Sequence, residues 1–254
     1  FQLSQVNRDL ATAKGDVKAI EDIALDTHTF HFAKPVSTTT TTKFQQAQLT
    51  LEHQIVARQV QLVLLGTEVA NASNLTTSDR ASLVAIISGE QTALGTDASN
   101  AAAATTYGEL DTVHQAMIGD ERVYVVVTDQ VNLVIAADNA TVTETGYTGL
   151  ATELAPLVSE LGSKHASHLL SDISSRVTAA TALTANLSTE ALALTPAGYP
   201  GNESQIKTYS FQLSQVNRDL ATAKGDVKAI EDIALDTHTF HFAKPVSTTT
   251  TTTS

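Results

Sequence analysis

Apolar residues recur at Ile206, Tyr209, Leu213, Val216, Leu220, Ala223, Val227, Ile230 and Ala234, alternately three and four positions apart. A period of 3.5 residues held this long predicts a helix with the seam of a coiled coil or bundle, and Asn202 before Glu203 is placed to cap its start. Similar stripes predict a helix from Phe44 to Ala72 on Leu49, Val56, Val60 and Val63. A shorter one, capped by Thr77 or Ser78 and stopped by Gly95, carries Leu83, Ile86, Ile87 and Leu94. Asp97 to Thr106 is Ala-rich and ambiguous, with room for a short helix up to Ile118. A long central helix follows on Leu133, Ala136, Ala140, Thr143, Tyr147, Leu150, Leu154, Leu157 and Leu161, and Pro156 is expected to kink or divide it. Val123 to Ile135 is dense enough in β-branched residues to suggest a strand, but continuity with the stripe favours helix. Gly162 reads as a C-cap. Beyond it, Leu170, Ile173, Val177, Ala180, Thr184, Leu187, Ala191 and Leu194 mark another long helix, ended by the loop TPAGYPGN from Thr195 to Asn202. Long helices joined by short connections must reverse direction. The expected fold is therefore all-α, an antiparallel bundle of long helices with coiled-coil-like heptad seams.

The chain repeats itself. Phe1 to Thr42 recurs unchanged as Phe211 to Thr252, an offset of 210 residues, and the copies part at Lys43 against Thr253. The N-terminal copy carries the same seam at Leu3, Val6, Leu10, Ala13, Val17, Ile20 and Ala24, without the cap and first turn that precede Leu213. Drift blurs a repeated surface segment, so such identity marks recent duplication, an array kept uniform, or a deliberate repeat; in each case the segment is an interchangeable part. The expected organisation is a duplicated helix at 1–27 (copy of 211–237), a Thr-rich linker at 28–43, a helical-bundle module at 44–237 and a Thr-rich tail at 238–254.

Composition narrows the function classes. Fifteen Lys and Arg against 27 Asp and Glu give a net charge of -12, and each copy contributes -1, so -10 falls on the body between Lys43 and Ser210. Cations do not cluster, which argues against a nucleic-acid surface. No apolar run reaches the roughly 18 residues of a membrane span. The absence of Cys excludes disulfides, thiolate metal sites and Cys nucleophiles. Phe at position 1 suggests a fragment or a processed form.

The order RVYVVVTDQVNLVIAAD (Arg122 to Asp138), a long helix, LTPAGYPGN (Leu194 to Asn202) and LATAKGDVKAI (Leu220 to Ile230) resembles a group of secreted, uncharacterised helical-bundle proteins of actinobacterial type. The likeness covers about Ile55 to Leu235. It implies export, hence an extracellular or cell-surface location, and an all-helical domain; it brings no catalytic residue.

Candidate chemistry is sparse. His165, His168 and Asp172 share a helix face at a spacing that can hold a divalent metal, but no fourth ligand accompanies them, and exposed histidines beside a solvated Asp account for the pattern. In DTHTFHFA (Asp26 to Ala33), His28, Phe30 and Phe32 would share one side of a strand, an aromatic docking segment; a helix-to-linker transition explains it better. GDER (Gly119 to Arg122) suits a helix start, where carboxylates favour the macrodipole. No P-loop, GxGxxG, GxSxG or Ser-His-acid pattern occurs. The Thr tracts after Pro35 and Pro245 read equally as O-glycosylated stalks or bare tethers, and Asn71, Asn74 and Asn202 are the N-glycosylation candidates. No catalytic, cofactor or metal residue is therefore expected. The expected functional residues form a self-assembly seam: Leu3, Val6, Leu10, Val17 and Ile20, repeated at Leu213, Val216, Leu220, Val227 and Ile230. The leading function is a structural surface module that joins copies of itself head to tail, in a tandem array or a filament. The rival is a ligand-binding bundle, a sensor or carrier, with an artificial repeat.

Overall fold

The computed structural model describes residues 42–119 and 126–242, with side chains as far as Asp236. Among them every regular element is helical: α1 (Lys43–Asn71), α2 (Thr77–Ala103), α3 (Tyr107–Gly119), α4 (Thr128–Leu161), α5 (Lys164–Thr184), α6 (Leu187–Leu192), a 3-10 turn at Pro196–Gly198, and α7 (Glu203–Phe242). The all-α bundle is as expected. No described helix is long and apolar enough to cross a membrane.

Caps explain where most helices begin and end. Thr42, the last residue of the duplicated segment, caps α1: its hydroxyl accepts from Gln45 N, and Gln45 Oε1 accepts from Thr42 N at 2.9 Å. The α1 C-terminus is closed from outside, because the Arg80 guanidinium donates to the Val69, Ala70 and Ala72 carbonyls. Thr76, one residue earlier than expected, caps α2 by accepting from Asp79 N. Gly95 does not stop this helix, which runs on to Ala103: Leu94 and Ala101 are buried, and that packing outweighs the roughly 1 kcal/mol helix penalty of a glycine. Gly162, at φ 59°, does end α4, since the left-handed conformation costs it nothing.

Residue pairs fix the topology. Asp138 accepts from Ser188, Glu144 from Thr181 and Thr184, and Val158 packs in one cluster with Ala166, so α4 and α5–α6 run antiparallel. Ala180 clusters with Val216 and Leu220, and Ile173 and Val177 with Ala223, Val227 and Ile230, which sets α7 antiparallel to α5. These three long helices form one bundle. The helices α1 to α3 cover only its lower half: their core joins Val126 to Ala137 of α4, α6, and Ile206, Tyr209 and Leu213 of α7. Beyond Ala140 only α4, α5 and α7 contribute to the core.

Several details depart from the stripes. Pro156 lies inside an undivided α4. The long helix expected after Gly162 breaks at Ala185 and Asn186, although its stripe stays buried from Ile173 to Leu194. In α1 the buried face is Leu51, Ile55, Leu62, Leu65 and Val69, while Val63 is 53 % exposed; this helix is apolar on two faces, and the stripe picked the wrong one. In α4, Thr143 and Leu150 face solvent, and Glu144 is buried in place of Thr143. Asn202 stands at the N-cap position of α7, its carbonyl accepting from Ile206 N, but its Oδ1 makes no cap bond. Its Nδ2 donates to the Thr195 carbonyl and it is buried, which also removes it as a glycan acceptor. The α7 helix reaches Phe242, into the stretch expected to be tail. From Val126 to Ile135 the chain is helical rather than a strand.

Candidate self-assembly surface

The C-terminal copy of the duplicated segment is seated along α4 and α5. Leu213, Val216, Leu220, Val227 and Ile230 are 8, 0, 7, 9 and 0 % exposed, and Ala223 and Ala234 between and beyond them are buried too. The whole 3,4 stripe is therefore turned inward, as a 3.5-residue period predicts for a bundle helix. Ile206 and Tyr209, ahead of the duplicated stretch, extend the seat by one more turn into the lower core. Leu3, Val6, Leu10, Val17 and Ile20, their N-terminal counterparts, lie outside the described residues, as do His28, His31, both Thr tracts apart from Thr42, and Asp120 to Val125.

One polar cluster reads the register of this helix. Arg176 on α5 binds Asp172 at 2.8 Å and reaches Asp219 at 3.5 Å and Asp226 at 3.9 Å on α7. Asp219 and Asp226 are two turns apart on α7, so a guanidinium between them is satisfied in one axial position only. The hydrogen bond from Arg176 holds the Asp172 carboxyl below the usual range. Burial, and then the neighbouring Asp172 carboxylate, push Asp226 up. Three carboxylates around one cation make this a device for alignment more than for stability. Both acids belong to the repeat, where they are also Asp9 and Asp16. The seven-residue spacing of the acids was visible in the sequence; that Arg176 faces them was not, because the pairing of α5 with α7 is a tertiary fact.

Two further buried polar groups escaped the stripes. Glu144, 3 % exposed, accepts from the Thr181 and Thr184 hydroxyls at 3.0 Å. Gln130, fully buried, donates to the Ala191, Leu192 and Leu194 carbonyls at 2.9 to 3.0 Å and so closes the C-terminus of α6. Both brace the bundle. His165 and His168 are exposed and Asp172 is held by Arg176; among the described residues no group of three or more His, Asp or Glu is placed to hold a metal.

Among the described residues a groove of about 660 Å³ lies between α4 and α5, lined by Tyr147, Ala151, Ala155, Leu170, Val177 and several Thr and Ser, with no charged residue and none from α7. Most of its walls, including Thr152, Ala155, Thr178 and Ala182, are exposed to solvent. It is an open channel rather than the sealed apolar chamber a carrier would use. A second groove of about 340 Å³, between α1 and α3, includes Asp111 and His114. No protein-family model, no curated protein and no solved structure matches this chain.

Proposed function

We propose that this chain is a structural helical module, secreted or displayed at a cell surface, that joins copies of itself head to tail through its N-terminal copy of the α7 segment. One observation carries the reading: the seat along α4 and α5 is filled by the molecule's own α7, whose stripe is buried throughout. Each molecule thus bears the same apolar stripe twice, and the α7 seat holds one of them. Burying a Leu, Ile or Val side chain is worth about 1.5 to 3 kcal/mol, so the surplus stripe is a strong driver of association.

Simple exchange of helices between seats does not supply that drive. If the N-terminal copy of one molecule displaced α7 from another, the number of filled seats would be unchanged. The contacts of Ile206 and Tyr209, which the N-terminal copy lacks, would be lost, at a cost of about 3 to 6 kcal/mol. Association therefore uses a surface other than the α7 seat, and the Thr-rich stretch between the copy and α1 acts as the tether. A heterologous contact of this kind need not close, which suits an open array.

Removal of Phe1–Thr41 tests the reading. The full chain is expected to gain mass with concentration in light scattering, and the truncated chain to stay monomeric. A full chain that remains monomeric at high concentration would falsify self-assembly.

A further inference from the structure

We infer that Asp172 on α5 and Asp226 on α7 hold one proton between them, and that this shared proton makes the upper half of the bundle a pH-sensitive clasp on the C-terminal helix. The clasp operates whether or not copies of the chain assemble.

Around Arg176 one buried oxygen is left without a donor. The Nε of an arginine carries a single hydrogen, and here it goes to Asp172 Oδ2 at 2.8 Å. Asp219 is supplied on both oxygens, since Arg176 Nη1 donates to Oδ1 at 3.5 Å and Gln215 Nε2 to Oδ2 at 3.2 Å. Asp226 Oδ2 is shut off from solvent, stands 3.9 Å from Arg176 Nε and accepts no hydrogen bond. It lies within hydrogen-bonding reach of the Asp172 carboxyl, and two ionised carboxylates can only face each other as acceptors. One proton turns this contact into a hydrogen bond, with the Asp226 carboxyl donating to Asp172. It also removes one of the two negative charges that Arg176 leaves uncompensated among the three acids.

The surroundings offer no other remedy. From α5, Asp226 is faced by Asp172, Arg176 and His168. From α4, Tyr147, Leu154 and Val158 pack in the same cluster, and the acids of that level, Glu153 and Glu160, are exposed. On α7 itself Lys224 and Lys228 are exposed, the latter paired with Asp232. Burial, and then Asp172, push the Asp226 carboxyl up, while the hydrogen bond from Arg176 holds Asp172 down, so the shared proton resides on Asp226. His168, exposed on α5, favours the ionised form of both acids and is the weakest of these influences.

Position makes the proton consequential. Among the described residues only α4, α5 and α7 build the core beyond Ala140, and Asp226 lies within the stretch of α7 that buries Ala223, Val227 and Ile230 there. Folding takes the proton from solvent. The Asp226 contribution is fully present below the unfolded value near 3.8 and is lost as pH rises through the folded one. Asp172 has the opposite sign: its contribution is present above 3.8 and lost as pH falls through its lowered value. The clasp is therefore tightest between the two folded values and slackens in alkali.

Hydrogen exchange of the full chain tests this at the α7 amides from Ala223 to Ala234. The readout is the ratio of the unsubstituted chain to Asp226→Asn at each pH, which cancels the intrinsic pH dependence of exchange and the titration of Glu90 in the lower half. Asn supplies permanently, as an N–H donor, what the proton supplies in the original chain. The unsubstituted chain is expected to exchange about tenfold faster than the variant at pH 8 and to agree with it within about twofold at pH 4. Asp219→Asn removes a charge whose oxygens both have donors, and should leave that pH dependence in place. In the unsubstituted chain, NMR of the side-chain carboxyls should show the pair titrating in two steps, the upper one above 3.8 and seen chiefly at Asp226. An exchange ratio that is flat across pH, an Asp219→Asn chain that loses the pH dependence, or an Asp226 with no step above 3.8 would each overturn the inference. The NMR titration needs no substitution, so it decides the matter even if Asp226→Asn does not fold.

Discussion

Single side chains set the local terms of this fold, and two of them show how burial of polar groups works for and against it. The two hydrogens of Gln130 Nε2 are shared among three carbonyls at the end of α6, and Ala191 also accepts from Leu194 N. Gln130→Met, close in volume, should therefore leave at most two acceptors unpaired at about 1 to 3 kcal/mol each, offset in part by removal of the buried, unpartnered Oε1, measured by urea unfolding. Glu90 on α2 is half-buried, and desolvation pushes its carboxyl up to about 7. A raised carboxyl means that folding takes up a proton. Its contribution is fully present below the unfolded-state value near 4.5 and is lost as pH rises through about 7. Glu90→Gln should therefore raise the melting temperature at pH 8 and change it little at pH 4; an equal shift at both pH values would refute the assignment. Neither residue was prominent in the sequence, because a polar residue beside an apolar stripe declares its position but not the depth of what covers it.

Helices in this chain tolerate poor helix formers where tertiary packing compensates. Pro156 is exposed within α4, and a proline there withdraws one backbone donor from the Thr152 carbonyl. Pro156→Ala should stabilise the chain by about 1 to 3 kcal/mol. Gly95 sits inside α2, where an added Cβ meets nothing within 4 Å, so Gly95→Ala should add about 0.5 to 1 kcal/mol in thermal unfolding. Gly95 was expected to stop a helix and Pro156 to kink or divide one; Gly95 does not stop α2, and α4 is not divided at Pro156. Propensity is local, whereas the buried faces on either side, Leu83 to Leu94 and Ala101 in α2, Ala140 and Val158 in α4, are held by other helices. The capping groups were legible to within a residue at Thr76 and Gly162. The wrong face was picked in α1 because Leu51, Ile55 and Leu62 compete with Val56, Val60 and Val63 at nearly the same period.

At the scale of the molecule, the C-terminal copy of the repeat completes the bundle. Truncation after Ser210 removes the C-terminal copy and uncovers Ile173, Val177 and Ala180. It should abolish cooperative unfolding of the upper bundle, seen as loss of the helical signal on mild heating. Removal of Phe1–Thr41, nearly the same amino acids, should leave the melting temperature of dilute protein within about 2 °C, because the described body is closed by α7. The helical class, the antiparallel order after Gly162, the stripe of α7 and the duplication were all properties of the linear pattern, since periodicity, glycine and proline placement and exact repetition need no partner to be seen. That the C-terminal copy is buried along α4 and α5, that Arg176 aligns it through Asp219 and Asp226, and that among the described residues α4 and α5 leave an open groove were decided only by the tertiary structure. A stripe states that a helix needs cover. Only the packing of the other helices, with the extra turn at Ile206 and Tyr209 in the lower core, gives that cover to the C-terminal stripe.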